Sequence, residues 1–225
     1  MRRAIVTGAS SGIGKGIYEH LKAIPDFEAG LSRALPDFEV EGLSRRGPDK
    51  FIDFTTEEAG YFARCAPVDV LILNHGIMPF AELPNVDPLV STNLTSYYFA
   101  LFLQATEAKP VKRGGSIILV SSVAGVTGDI EVPLYAALKA GVSNLARSFA
   151  KRLGAQQGIR VNAIAPGFFK SNLAGGSPAP EALLKDIVLG QREADVSELL
   201  PVVEMLIQCP YITGQTIVVD GGLSL

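Results

Sequence analysis

Ala4-Ile5-Val6-Thr7 runs directly into Gly8-Ala9-Ser10-Ser11-Gly12-Ile13-Gly14, and helix-like sequence continues from about Gly12 to Ala23. A short apolar run that breaks into glycines and restarts as a helix reads as strand, tight turn, helix. That arrangement turns backbone N–H groups and a helix N-terminus toward an anion such as a phosphate. Gly8 allows the tight turn, Gly12 lets the backbone approach a pyrophosphate, and Gly14 permits close packing of helix on strand. A glycine-rich turn alone is a weak signal. Its place directly after the first strand is what points to nucleotide binding.

Strand and helix patterns then alternate to the end of the chain. Phe51–Phe54, Val68–Leu73, Ser116–Ser121, Arg160–Ala165 and Thr216–Asp220 read as strands. Between them, helices are predicted over Thr56–Cys65 and Leu89–Glu107, and from the Tyr135 region to about Gln156, where Gly158 ends the helix. Asp195-Val196-Ser197-Glu198 has the acid and spacing of a capping box opening a helix to about Gln208. The expectation is an α/β protein, a doubly wound seven-stranded parallel sheet with helices on both faces. One domain spans residues 1–225, with a substrate flap at about 168–195 marked by Gly175, Gly176, Pro178 and Pro180. In such sheets ligands bind at the carboxyl ends of the strands. Gly8, Asn74, Ser122 and Pro166-Gly167 all fall just past predicted strand ends, so the topology gathers them on one rim.

The second strand is ambiguous because the chain nearly repeats itself. Pro25-Asp26-Phe27-Glu28-Ala29-Gly30-Leu31-Ser32-Arg33 is followed by Pro36-Asp37-Phe38-Glu39-Val40-Glu41-Gly42-Leu43-Ser44-Arg45. The first copy is favoured as the strand. It follows the first helix after a short loop and carries less charge. Choosing the second copy would leave only Arg46–Lys50 for a crossover that normally needs a dozen residues.

Formal net charge is -3, so no basic field attracts nucleic acid or anionic lipid. Two cysteines make no disulfide framework, and no segment approaches the roughly 20 apolar residues of a membrane span. The composition predicts a cytoplasmic protein with no nucleic-acid or membrane partner.

Tyr135 and Lys139 lie four residues apart, hence on one helix face. An ammonium beside a phenol favours the phenolate and is expected to lower the tyrosine pKa toward a range useful for proton transfer. With this pair in place, the chain resembles the short-chain dehydrogenase/reductase family over nearly its whole length. The resemblance rests on Thr7-Gly8-x-x-x-Gly12-x-Gly14, Asn74-His75-Gly76, Asn93, Ser122 with Tyr135 and Lys139, Pro166-Gly167, Thr213-Gly214-Gln215 and Asp220-Gly221-Gly222.

The resemblance implies a Rossmann fold and hydride transfer between a nicotinamide cofactor and a small-molecule carbonyl or alcohol substrate, with no metal. Tyr135 would be general acid in reduction and base in oxidation. Lys139 would lower the Tyr135 pKa and hold ribose hydroxyls, Ser122 would bond the substrate oxygen, and Asn93 would hold a water linking Lys139 to solvent. Gly8, Ser10, Ser11, Gly12, Ile13, Gly14, Asp53, Asn74, Gly76, Tyr135, Lys139, Pro166 and Gly167 would contact the cofactor. Both copies of the repeat end in Leu-Ser-Arg, so an arginine, Arg33 or Arg45, stands where NAD(H) binders carry an acid. NADP(H) is therefore preferred and NAD(H) possible.

His75 stands where the family usually has alanine, and a structural role is favoured for it. His20 is given none. Phe168, Phe169, Val126, Ile130 and Leu134 would supply apolar pocket walls. A homo-oligomer, dimer or tetramer, would pair through the Leu89 and Ala136 helices. The alternative reading is a catalytically silent dinucleotide-binding regulatory or scaffold protein.

Overall fold

The computed structural model describes residues 2–24, 38–44, 50–51, 67–78, 86–106, 110–170 and 179–225. Seven strands form one sheet: β1 (Arg2–Thr7), β2 (Phe38–Ser44), β3 (Lys50–Phe51), β4 (Val68–Leu73), β5 (Val111–Val120), β6 (Arg160–Pro166) and β7 (Thr216–Val219). Their spatial order is β3-β2-β1-β4-β5-β6-β7 and every pairing is parallel. The order reverses between β1 and β4, the kind of point where doubly wound sheets bind ligands.

Both faces of the sheet are covered, as the unbroken apolar strands require. Successive side chains on a strand point to opposite faces. Thus Leu71 and Leu73 pack with Ile117, Leu119 and Val161 against Tyr97, Leu101, Val142 and Leu153. Val70 and Ile72 turn the other way, with Val6 and Ile118, onto Ile17, Leu21, Val203 and Leu206. The first face is covered by the helical segment 87–105 and the Pro133–Gln157 helix, the second by the Gly12–Ala23 and Leu200–Gln208 helices.

Local signals account for several boundaries. Gly158 closes the Pro133–Gln157 helix at φ 67°, the left-handed conformation that glycine adopts without strain. The Asp195/Glu198 capping box is formed, although it opens a 3-10 turn, Val196–Glu198, before the Leu200–Gln208 helix begins. β5 starts earlier than the sequence reading, at Val111, and carries Gly114 and Gly115 within it.

The second strand overturns the sequence expectation. β2 is the second copy of the repeat, with Arg2 opposite Phe38 and Thr7 opposite Leu43; the first copy, 25–33, lies outside the described residues. Among the described residues β3 is Lys50–Phe51, which pairs Lys50 with Leu43 and Phe51 with Ser44. Five residues, 45–49, separate these strands in sequence, fewer than the dozen a parallel crossover normally takes, so the expectation built on that length does not hold here. The predicted Phe51–Phe54 strand is described only at Phe51, and the Thr56–Cys65 helix falls outside the described residues.

Candidate active site

The rim at the strand carboxyl ends is held together by close backbone approaches. Gly8 has φ 67°, and a Cβ on it would lie 2.8 Å from Asn74 Nδ2 and 2.9 Å from His75 Cα. A Cβ on Gly14 would meet both Asn74 Nδ2 and the Gly8 carbonyl at 2.3 Å. The glycine-rich turn therefore nests against the segment leaving β4, and larger residues would push them apart. Ser10, Ser11, Gly12 and Ile13 continue this turn into the Gly12–Ala23 helix, whose N-cap Ser11 makes no side-chain cap and whose first turn holds no acid. Its leading amides keep the partial positive charge of an open helix N-terminus.

Gly76 brings the same segment to Asn93 and to Lys139 on the Pro133–Gln157 helix. A Cβ there would lie 2.8 Å from Asn93 Oδ1 and 3.5 Å from Lys139 Nζ. Asn93 sits in a π-helical stretch, Ser91–Thr95, inside the long helical segment. Its amide donates to the Ile77 carbonyl at 2.8 Å and the Leu89 carbonyl at 3.1 Å, and its oxygen accepts from the Ile77 N–H at 3.2 Å. These bonds fix the loop after β4 to the helix.

Tyr135 meets Ser122, and Lys139 lies near the Tyr135 ring. Tyr135 is hydrogen-bonded with Ser122, and Lys139 Nζ lies 5.7 Å from the Tyr135 ring centre and 5.5 Å from that of Tyr97. Their proton affinities differ from expectation. Burial pushes Tyr135 up to about 12, with the Ser122 hydrogen bond opposing and the Asp129 charge adding to the rise. Burial also brings Lys139 down to about 7. The correction has one cause: both groups are almost fully buried, and desolvation disfavours the charged form of each. The causes that move Tyr135 are burial, the Ser122 hydrogen bond and the Asp129 charge.

The lysine is held by groups the sequence reading missed. Its Nζ donates to the Val120 carbonyl at 2.9 Å, while Ser121 Oγ donates to the Lys139 carbonyl at 2.7 Å and accepts from Ser143 Oγ at 2.9 Å. Gly125 packs so tightly on the helix that a Cβ would lie 2.6 Å from the Ala140 nitrogen. No periodicity marks Gly125 or Ser143, because both act across the fold. Pro166 accepts from the Val123 N–H at 2.8 Å, and a Cβ on Gly167 would fall 2.8 Å from Asp220 Cα, so both border the site.

His75 is hydrogen-bonded at both ring nitrogens, to Thr7 Oγ1 at 2.7 Å and Ser96 Oγ at 2.6 Å. His20 pairs with Glu204 at 2.6 Å. Of the suggested pocket walls, Phe169 belongs to the core, whereas Val126, Ile130 and Leu134 are exposed. Arg33, Arg45 and Asp53 lie outside the described residues.

Comparison with known proteins agrees with this geometry. The family model described as "Enoyl-(Acyl carrier protein) reductase" matches residues 57–224. The chain is 32% identical to carbonyl reductase family member 4 of Danio rerio, covering 100% of this chain and 98% of that protein. It is 34% identical to the 3-oxoacyl-[acyl-carrier-protein] reductase FabG of Staphylococcus aureus, covering 99% and 98%. Among solved structures, a putative 2-deoxy-d-gluconate 3-dehydrogenase from Agrobacterium tumefaciens with bound NADP has a TM-score of 0.81 at 28% identity, covering 99% of this chain and 96% of that one. A short-chain dehydrogenase from Burkholderia cenocepacia in complex with NADP shares the fold at TM-score 0.84 and 22% identity, over 100% and 98% of the two chains. The chain belongs to the short-chain dehydrogenase/reductase family of NAD(P)-binding, Rossmann-fold oxidoreductases.

Proposed function

We propose that the protein is an NADP(H)-dependent reductase of small carbonyl compounds, with Tyr135 as its general acid. The observation that carries this reading is buried Tyr135 and Lys139 with part-buried Ser122 at the carboxyl rim of the sheet, the rim that also holds an uncapped helix N-terminus. The close-packed glycines and that N-terminus fit a dinucleotide: Gly8, Gly14 and Gly76 clear the backbone, and the Gly12–Ala23 helix offers amides to a pyrophosphate. When bound, the cofactor supplies the hydride.

The remaining steps belong to the chain. Ser122 hydrogen-bonds the carbonyl oxygen, where negative charge develops. Tyr135, held protonated by burial up to about 12, retains its phenolic proton until that oxygen becomes basic enough to take it. Lys139, with a pKa of about 7, is poised to gain or lose a proton near neutrality beside the tyrosine, and it would hold the ribose hydroxyls. Arg45, which directly follows β2, would pair with the 2′-phosphate of NADP(H). The exposed apolar side chains of Val126, Ile130 and Leu134 around this segment suit a carbonyl with hydrophobic bulk.

Tyr135→Phe removes the proton and leaves the cofactor turn untouched. NADPH titration should match wild type, while reduction of any productive carbonyl should fall about 10³-fold. Equal inertness of wild type and variant across a broad carbonyl panel would return the reading to a silent dinucleotide-binding protein.

A further inference from the structure

We propose that His75 is a positioning residue for the dinucleotide site. Its imidazole latches the segment Asn74–Gly76 to β1 on one side and to the Ser96–Ala105 helix on the other. The inference rests on the dinucleotide reading above and concerns how this chain holds the cofactor-facing backbone in register.

The hydrogen-bond inventory assigns the latch a direction. Thr7 Oγ1 accepts the Asn74 N–H at 2.9 Å and the His75 N–H at 3.3 Å, which uses both its lone pairs. Its single hydrogen then goes to His75 Nδ1 at 2.7 Å, far better placed than the Ile72 carbonyl at 3.4 Å. Nδ1 is therefore the bare nitrogen and Nε2 carries the proton. Nε2–H donates to Ser96 Oγ at 2.6 Å, and the Ser96 hydroxyl passes its own hydrogen to the Thr92 carbonyl at 3.0 Å. Tyr97 closes the arrangement by donating to the His75 carbonyl at 2.7 Å, its ring 4.7 Å from the imidazole. The ring is 3% exposed, and burial with the nearby Lys139 charge keeps it neutral, as this pattern of donors and acceptors requires.

The position of the latch gives it consequences at both ends of the site. Upstream, Asn74 and His75 press on Gly8, the first residue of the phosphate-facing turn. Downstream, Gly76 lies against Asn93 and Lys139 Nζ. An alanine at 75 would make neither side-chain bond, so Thr7 and Ser96 would lose the group that spaces the turn from the lysine.

The test uses calorimetric titration of NADPH into wild type, His75→Ala, His75→Asn and Ser96→Ala, with kcat at saturating NADPH for whichever panel carbonyl the wild type reduces. His75→Ala should weaken NADPH binding about tenfold. His75→Asn, which can accept from Thr7 at the Nδ1 position, should recover to within about threefold of wild type. Ser96→Ala should weaken binding by about threefold and carries the test should His75→Ala not fold. The latch is refuted if the alanine variants bind NADPH as wild type does, if asparagine rescues nothing, or if kcat falls with affinity unchanged. Wild type that binds neither NADPH nor NADH would overturn the dinucleotide reading and the latch together. Wild-type binding unaltered by His75→Ala removes the latch alone.

Discussion

Lys139 exchanges hydration for one backbone carbonyl, Val120, and two aromatic faces, and its proton affinity falls accordingly to about 7. This makes the residue a stability determinant as well as a proposed participant in proton transfer. In the unfolded chain the amine titrates near the ordinary 10.5, so between about pH 7 and that value the unfolded state binds a proton the folded state does not. Stability of the free protein should therefore rise with pH across that window. Below about pH 7 both states are protonated and the buried charge weighs fully against folding. Tyr135 acts in the opposite sense at higher pH: its folded pKa of about 12 exceeds the ordinary 10.0, so ionisation favours unfolding above about pH 10. Lys139→Met should be more stable than wild type at about pH 6, with the gap narrower at about pH 9. Urea midpoints at the two pH values measure this, and a gap that does not change with pH would refute the burial argument.

At the scale of elements, the instructive case is β2. Charge and crossover length both favoured the first copy of the repeat, and both are rules for a strand buried in a sheet with helical crossovers. Among the described residues β2 has Lys50–Phe51 outside it, and Glu41 is half-buried. The choice between the copies also chooses an arginine, since Arg45 directly follows the strand. Arg45→Ala should weaken NADPH about 10- to 100-fold and leave NADH nearly unchanged, whereas Arg33→Ala should leave both near wild type. Fluorescence titration with both cofactors distinguishes them, and selective loss of NADPH affinity in Arg33→Ala would reverse the assignment. Elsewhere the pattern was readable: β4 matches the sequence reading residue for residue, and Gly158 stops the Pro133–Gln157 helix where a C-terminal glycine should. The π-helical turn at Ser91–Thr95 was not, because it depends on Asn93 reaching the Ile77 backbone across the fold.

At the scale of the whole molecule, the two helices covering one face of the sheet leave aromatic side chains in water. Tyr98, Phe99 and Phe102 are exposed on the Ser96–Ala105 helix; Tyr98 stacks on Phe102 at 5.9 Å and meets Phe149 of the Pro133–Gln157 helix edge-on at 6.1 Å. A contiguous aromatic patch of this kind marks an association surface, and we expect the protein to pair through these helices. Light scattering should give at least a dimer for wild type and a monomer for Tyr98→Glu/Phe102→Glu, with NADPH binding retained. An unchanged mass for that variant would place the interface elsewhere.

Sequence alone determined whatever depends on near neighbours in the chain. The glycine turn after β1, the alternation of strand and helix, and the one-turn spacing of Tyr135 and Lys139 are local, and the sheet topology that gathers their ends on one rim follows from that alternation. The tertiary structure decided what depends on residues distant in sequence and close in space: which repeat copy pairs with β1, where Asn93 spends its amide, how Thr7 and Ser96 engage His75, and how far burial moves the protons of Tyr135 and Lys139. Pairing and desolvation are properties of an environment assembled by the whole chain, and no spacing within a motif encodes them.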